Sequence, residues 1–320
     1  MANGIDFTDA QAYKGYVEQF ALDLFKRMFY GFRSGQLMTP HEGVKGRKVL
    51  TELVIGTGLA KRWIAEFEGT QNTSYTPYVL EVFTNKLEHQ VVPQEFESNY
   101  MGEMRRTGQD PRDYPMEAFT LNGLLKELAK ELEDATWQGD QAAVPADSDL
   151  LAATFDGILK QVADAITATD LTPVSTGAIT LANVLDQFQS MWAQVNPAQK
   201  AMGTDIFVSY AVYDLYRIKY KQTYGADPAY VKIDNSDYDQ GIRYELSSKA
   251  TIIPVPGMGS SQRVLIMPRN RLHYGFDSLQ DWSNFRFEQN HRTLDFWCDF
   301  NFGVKAVMLR DGLAVVNDQA

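Results

Sequence analysis

From Leu294 to Met308 the chain alternates. Leu294, Phe296, Cys298, Phe300, Phe302, Val304, Ala306 and Met308 fall on one side, with Asp295, Asp299, Asn301 and Lys305 among their polar partners. Period-two alternation marks a strand with one buried face. About fifteen residues at ~3.3 Å each predict a strand of ~50 Å, against a usual length of five or six residues. Gly303 is placed to bend it.

A helix of matching scale is predicted over Glu117–Asp140. Phe119, Leu121, Leu124, Leu125, Leu128, Leu132 and Ala135 recur at i, i+3, i+4 and i+7, one apolar stripe over about twenty residues or ~30 Å. Pro115 stands just ahead of it and Glu117 suits its positive end. Gly139 is placed to close it in the left-handed conformation. Strand and helix of this length together predict an elongated, flat molecule rather than a sphere.

The 320 residues, 44% of them hydrophobic, suffice for a real core. No apolar run approaches the ~18–20 residues a bilayer demands, and MANGIDFTDA has neither half of a secretory signal. The single cysteine, Cys298, excludes an internal disulfide framework and fits a reducing cytoplasm. The net charge of -11, with no sizeable Lys/Arg cluster, argues against gripping a polyanion. A container around DNA would gain from that.

Along the chain, a first helix is expected from Thr8, with Tyr13, Val17, Phe20, Leu24 and Met28 on one face. From Gly46 to Pro93 the pattern is β: RKVLTELVI, AKRWIAEFE and YVLEVFTNKLEHQVV, with turns at Gly56–Gly58 and Glu68–Thr76. About three strands with few apolar residues predict a hairpin arm that leans on a neighbour. TFDGILKQVADAI predicts a short helix. A second long helix is expected from Thr180, carrying Leu181, Leu185, Phe188, Trp192 and Val195. DIFVSY predicts a strand feeding a helix near Ser209, on which Tyr210, Tyr213, Tyr216, Tyr220 and Tyr224 recur; strands follow at IRYEL, ATIIPVPG and RVLIMP. The span Leu181–Asp281 reads as a mixed α/β unit, and no internal repeat or Pro/Ser linker is present.

The run from ELEDATWQGD to FDGIL resembles the major capsid proteins of tailed phages, the Hong Kong 97 type of fold. In that family a long spine helix ends in an acidic-aromatic-Gly-Asp turn and a short helix begins near Gly-Ile-Leu. Here those positions are Glu133, Asp134, Trp137, Gly139, Asp140, Gly157, Ile158 and Leu159. The segment VVPQEFESNYMGEMRRTGQDPRDYPMEAF looks most like capsid proteins of Bacteroidota phages, the crAss-like group included. The resemblance implies an α+β fold with an N-terminal arm (1–45), an extended β loop (46–92) and a peripheral domain (93–178) with its spine helix over 116–137. An axial α/β domain (179–281) and strands returning to the peripheral domain (282–320) complete it. It implies assembly contacts at Trp137, Gly139 and Asp140, along the loop at Lys61, Arg62, Trp63, Glu66 and Glu68, and on the arm at Tyr13, Phe20 and Leu24.

The function implied is a shell of pentameric and hexameric capsomers enclosing double-stranded DNA, assembled in the bacterial cytoplasm and resident in the virion. Its partners would be other copies of itself, with portal, scaffolding and decoration proteins, without sequence-specific DNA binding and away from membranes. Two features depart from common patterns: no long charged helical segment lies ahead of the arm, so a fused scaffolding domain is not expected, and nothing marks a Lys–Asn pair for cross-linking. An encapsulin-like nanocompartment shares the fold and is the nearest alternative; an enzyme is the remote one.

Residue chemistry agrees with a structural role. His41, His89, His273 and His291 lie far apart with no metal-ligand spacing. GTG and GMG lack the spacing of a phosphate loop, and DNSDYDQG at Asp234–Gly241 lacks the closing Glu of a calcium loop. No nucleophile, base and orienting group converge, and neither cofactor nor metal is expected. The tyrosine stripe with Arg217, Lys219 and Lys221 could stack single-stranded bases, but three cations on an acidic chain attract them weakly, which favours packing.

Overall fold

The computed structural model describes residues 32–55, 60, 62–63, 73–92, 116–142, 150–232, 240–277, 286–290 and 293–319. The N-terminal helix with Tyr13, Phe20 and Leu24, the loop residues Lys61, Glu66 and Glu68, and the acidic stretch 234–239 lie outside them.

The alternation near the C-terminus produces strand β12, Thr293–Ala306, fourteen residues long. Phe296, Cys298, Phe300, Phe302, Val304 and Ala306 are all buried, so the predicted face is the packed one. One edge of β12 carries β4 (Phe83–Val91) from Leu294 to Phe302. The other edge carries β11 (Arg286–Asn290) and then β10 (Leu272–Phe276). β1 (Thr39–His41) adds to β10 in parallel and completes a five-stranded sheet. Gly303 has a second role besides any bend: a Cβ there would collide with the carbonyl oxygen of Glu81, so only glycine admits that chain crossing.

The long helix, here α2, runs Met116–Gln138. Leu125, Leu128, Leu132 and Ala135 are buried as the stripe predicts, but so are Ala129, Glu133, Thr136 and Trp137. Its last turns are therefore covered on more than one side. Gly139 does not take the left-handed conformation expected of it, since it is absent from the positive-φ glycines. Its N–H instead continues the helical ladder to Ala135 O at 2.9 Å.

The second sheet is six-stranded in the order β13-β9-β5-β8-β7-β6. Its members are β5 (Thr204–Val208), β6 (Tyr230–Lys232), β7 (Gln240–Arg243), β8 (Ala250–Pro254), β9 (Leu265–Met267) and β13 (Val315–Val316). Of the helices around it, α4 (Val184–Gln194) and α6 (Tyr210–Tyr224) cover one face, with Phe188, Trp192, Val212 and Tyr216 packed on Ile206, Val208 and Ile252. The short α5 (Pro197–Met202) lies between these two helices in sequence. On the other face Phe207, Ile253, Leu265 and Met267 meet Trp137, Ile158, Leu272 and Ala306. A sheet covered on both faces needs nearly continuous apolar strands, which is what the sequence writes at IFV and ATIIP.

α4 begins at Val184, later than Thr180. Thr180–Asn183 form a turn in which Asn183 Oδ1 accepts from Thr180 N and Oγ1 at 2.7 and 3.0 Å, so side-chain bonding there competes with helix. α6 starts beside Ser209 as expected, and Ser209 caps it, accepting from Val212 N at 3.5 Å. β10 falls within 179–281 yet belongs to the five-stranded sheet, and β13 falls beyond it yet joins the six-stranded one. These two exchanges tie the sheets into one body.

The remaining β structure is a hairpin of β2 (Arg47–Ile55) on β3 (Thr73–Glu81) in strict register, Arg47 opposite Glu81 and Ile55 opposite Thr73. β3 starts at Thr73, inside the stretch expected to turn, and YVLEVFTNKLEHQVV splits at Val82 into β3 and β4.

A candidate assembly surface and the junction beneath it

The acidic-aromatic-Gly-Asp turn is an internal junction. Trp137 is fully buried, and its Nε1–H donates to Ser34 Oγ at 2.6 Å. Ser34 lies on α1 (Arg33–Leu37) and in turn donates from N and Oγ to the two carboxylate oxygens of Glu133, at 2.8 and 2.5 Å. Burial raises the Glu133 carboxyl above its ordinary range, and the hydrogen bonds from Ser34 and the Gly257 backbone hold it back. One serine thus partners two orphan-prone polar groups, an indole and a carboxylate, the latter shared with the Gly257 backbone.

Gly139 and Gly157 meet here back to back. A Cβ on Gly139 would sit 2.6 Å from Phe155 O, and one on Gly157 2.7 Å from Gly139 N. The two chains bond across that gap, Gly157 N donating to Gly139 O at 2.8 Å and Asp140 N to Ala152 O at 3.0 Å. Helix α3 (Ile158–Thr167) starts from the second glycine. Its Gln161 donates to Val304 O at 3.1 Å and accepts from Ala306 N at 3.0 Å, fixing the end of β12. Trp137 and Gly139 are buried within the chain and Asp140 is half-buried.

The hairpin presents the opposite case. Val49, Leu53, Tyr75 and Val79 share its outward face, directly opposed as Val49–Val79 and Leu53–Tyr75. They are 59, 51, 69 and 39% exposed. The inward face is held: Glu52 accepts from Arg310 Nη2 at 2.9 Å and Tyr78 OH at 3.1 Å, while Leu80 and Val82 are buried. In the connection between the strands, Arg62 is exposed and Trp63 is 86% exposed. A groove of ≈590 Å³ runs between β3 and α3, walled by Val79, Glu81, Asp164, Lys305 and Leu309.

The tyrosine stripe divides. Tyr216 and Tyr213 are buried, Tyr216 against Phe188 with ring centroids 5.1 Å apart, and burial pushes the Tyr213 phenol up to about 12. Tyr210 and Tyr224 face outward. Arg217 lies over Tyr230 at 5.7 Å and Lys221 pairs with Asp227 at 3.3 Å, so two of the three cations are engaged within the chain and no open basic-aromatic platform results.

The sequence reading missed two clusters. One is Ser34 with Glu133; the other is His41 with His273, whose ring nitrogens approach to 3.0 Å although 232 residues separate them. Among the described residues no group of three or more His, Cys, Asp or Glu is gathered to hold a metal, and no helix is long and apolar enough to cross a membrane.

No family model and no curated protein matches the sequence. Solved structures do share its fold. A chain of the satellite phage P4 procapsid including size determination (Sid) protein superposes with a TM-score of 0.56 at 11% identity, over 92% of this chain and 97% of that one. A chain from the capsid of an empty GTA particle gives 0.53 at 9% identity, over 90% and 89%. The SrpI encapsulin of Synechococcus elongatus PCC 7942 gives 0.48 at 12% identity over 88% and 85%, too loose an overlap to bear on the fold. The architecture is therefore an α+β fold found in viral capsids.

Proposed function

We propose that this chain is a shell-forming major capsid protein of the Hong Kong 97 type, whose copies close into pentamers and hexamers around the double-stranded DNA of a tailed phage. The observation that carries this reading is the hairpin. Its outward apolar face has no cover among the described residues, on a body whose two sheets are otherwise well packed. A patch that meets a different patch on the next copy makes a heterologous contact, and such contacts close into rings when the rotation allows. The capsid fold shared with the P4 and GTA particles supports the same reading.

In this reading 46–92 is a strap across a neighbouring copy, with Lys61, Arg62, Trp63, Glu66 and Glu68 at its far end. Residues 1–45 are an arm that reaches others through Tyr13, Phe20 and Leu24. The helix over 116–137 is the spine of a peripheral domain (93–178, with 282–320 returning to it), and 179–281 forms the ring around each capsomer axis. Trp137, Gly139 and Asp140 contribute by fixing the angle between spine and ring. Many modest contacts per chain stabilise the shell through effective concentration. Assembly would take place in the host cytoplasm, with portal, scaffolding and decoration proteins as partners.

Deleting Thr57–Tyr75 tests this. The expected product is a soluble folded chain that electron microscopy finds unable to close shells. Normal particles from the deletion would end the strap role. A wild-type chain that stays monomeric at high concentration and turns over a substrate would end the shell reading itself.

A further inference from the structure

The hairpin is anchored at its base by a chain of three side chains on three strands. Lys48 Nζ, on β2, lies 3.1 Å from His41 Nδ1 on β1, and His41 Nε2 lies 3.0 Å from His273 Nδ1 on β10. The two imidazoles overlap with centroids 5.1 Å apart and planes inclined by 34°. A lysine ammonium can only donate, so His41 must accept at Nδ1 and carry its proton at Nε2. That proton is offered to His273 Nδ1, which must also accept. The relay runs in one direction and exists only while both rings are neutral.

We propose that Lys48, His41 and His273 form a proton-operated latch between the hairpin and the five-stranded sheet. It is closed while both imidazoles are neutral and released when either gains a proton. A proton on His41 Nδ1 evicts Lys48. A proton on His273 Nδ1 confronts the N–H of His41. Either event adds a cation beside Lys48, and Lys305 of β12 stands across the ladder from His273. The carboxylates on the surrounding elements are committed elsewhere: Glu52 to Arg310, Glu81 to Arg47 and Asp277 to Lys45, while Glu42 is exposed. Arg271, just ahead of β10, donates to Leu313 O. Among the described residues, no acid is therefore positioned to neutralise a new imidazolium. Burial, the partner ring and Lys48 all hold His273 below its ordinary pKa, in keeping with the neutral pair. The latch follows from local geometry alone; its use in assembly rests on the strap reading above.

The test is hydrogen–deuterium exchange of the full chain at about pH 7.5 and about pH 5, with rates normalised to intrinsic exchange at each pH. Amides of Thr39–Leu50 are expected to lose protection roughly tenfold or more on acidification, while β5 and β8 keep theirs. Lys48→Met removes the hairpin's member of the latch, so Thr39–Leu50 should be less protected already at about pH 7.5 and lose less on acidification. The double variant H41Q/H273Q keeps donors and acceptors without a titrating group and should flatten the profile. Equal loss across both sheets, or a wild-type pH dependence in Lys48→Met or in H41Q/H273Q, would each overturn the latch. The first comparison is internal to the wild-type chain, so it decides the matter even where a variant fails to fold. Shells whose assembly ignores pH, from a chain whose latch opens, would sink only the link to assembly.

Discussion

The β2–β3 hairpin and the six-stranded sheet are built from similar residues and end in opposite environments. RKVLTELVI is as rich in strand-forming residues as TDIFV. Yet every residue of β5 is buried, while Val49 and Leu53 of β2 stand more than half exposed. Strand propensity is thus a statement about local backbone, and burial about what else the chain brings to each face. Helices α4 and α6 cover one face of β5, and Trp137, Ile158 and Leu272 cover the other. Nothing among the described residues plays that part for the outer face of the hairpin.

If that contrast is right, the two regions should respond to mutation in opposite ways. Phe207→Ala opens a cavity between the six-stranded sheet and Trp137, whose rings lie 5.8 Å apart, and should cost about 3–5 kcal/mol in denaturant unfolding. A loss below ~1 kcal/mol would mean this core is loosely packed. Ser34→Ala should cost about 1–3 kcal/mol, because it leaves Trp137 Nε1 and one Glu133 oxygen buried without their partner. Ser34→Thr, which keeps the hydroxyl, should recover most of it.

Proton linkage separates the regions by sign. His273 is pulled from 6.5 to about 4, so the unfolded chain binds the extra proton first. The stability it contributes is complete above pH 6.5 and is lost as pH falls from 6.5 towards 4, on the order of 1 kcal/mol. Glu133 behaves the other way. Its raised pKa means the folded state holds its proton more tightly, so its contribution weakens as pH rises through the shifted value. Thermal melts of H273Q and E133Q across that range check both slopes; parallel slopes would contradict the assignment.

The smallest effect on folding belongs to the hairpin face. Leu53→Ser and Tyr75→Ser should change stability by less than about 0.5 kcal/mol. They should nonetheless reduce shell yield measured by sedimentation. Unimpaired shells would show that the exposed face is not an interface, and a large stability loss would show that it is covered within the chain after all.

The sequence determined by itself what depends on neighbours a few residues apart. The fourteen-residue strand, the long helix with its apolar stripe, the start of α6 near Ser209 and the hairpin all follow from spacing. So does the burial of Cys298 on the packed side of its strand. Tertiary structure decided the rest, because its contacts join residues with no local relation. Ser34 and Glu133 are 99 residues apart, His41 and His273 are 232, and no periodicity links either pair. Gly139 shows the division within one residue. Its place after the helix was legible, but its purpose was not: glycine is needed there for the close approach of Gly157, not for a left-handed turn. Even β12 needed the fold to reveal its full task, since its alternation announces one buried face while its two edges recruit three other strands. Side-chain period is a property of one strand, but pairing is decided by which other strands the folded chain brings alongside.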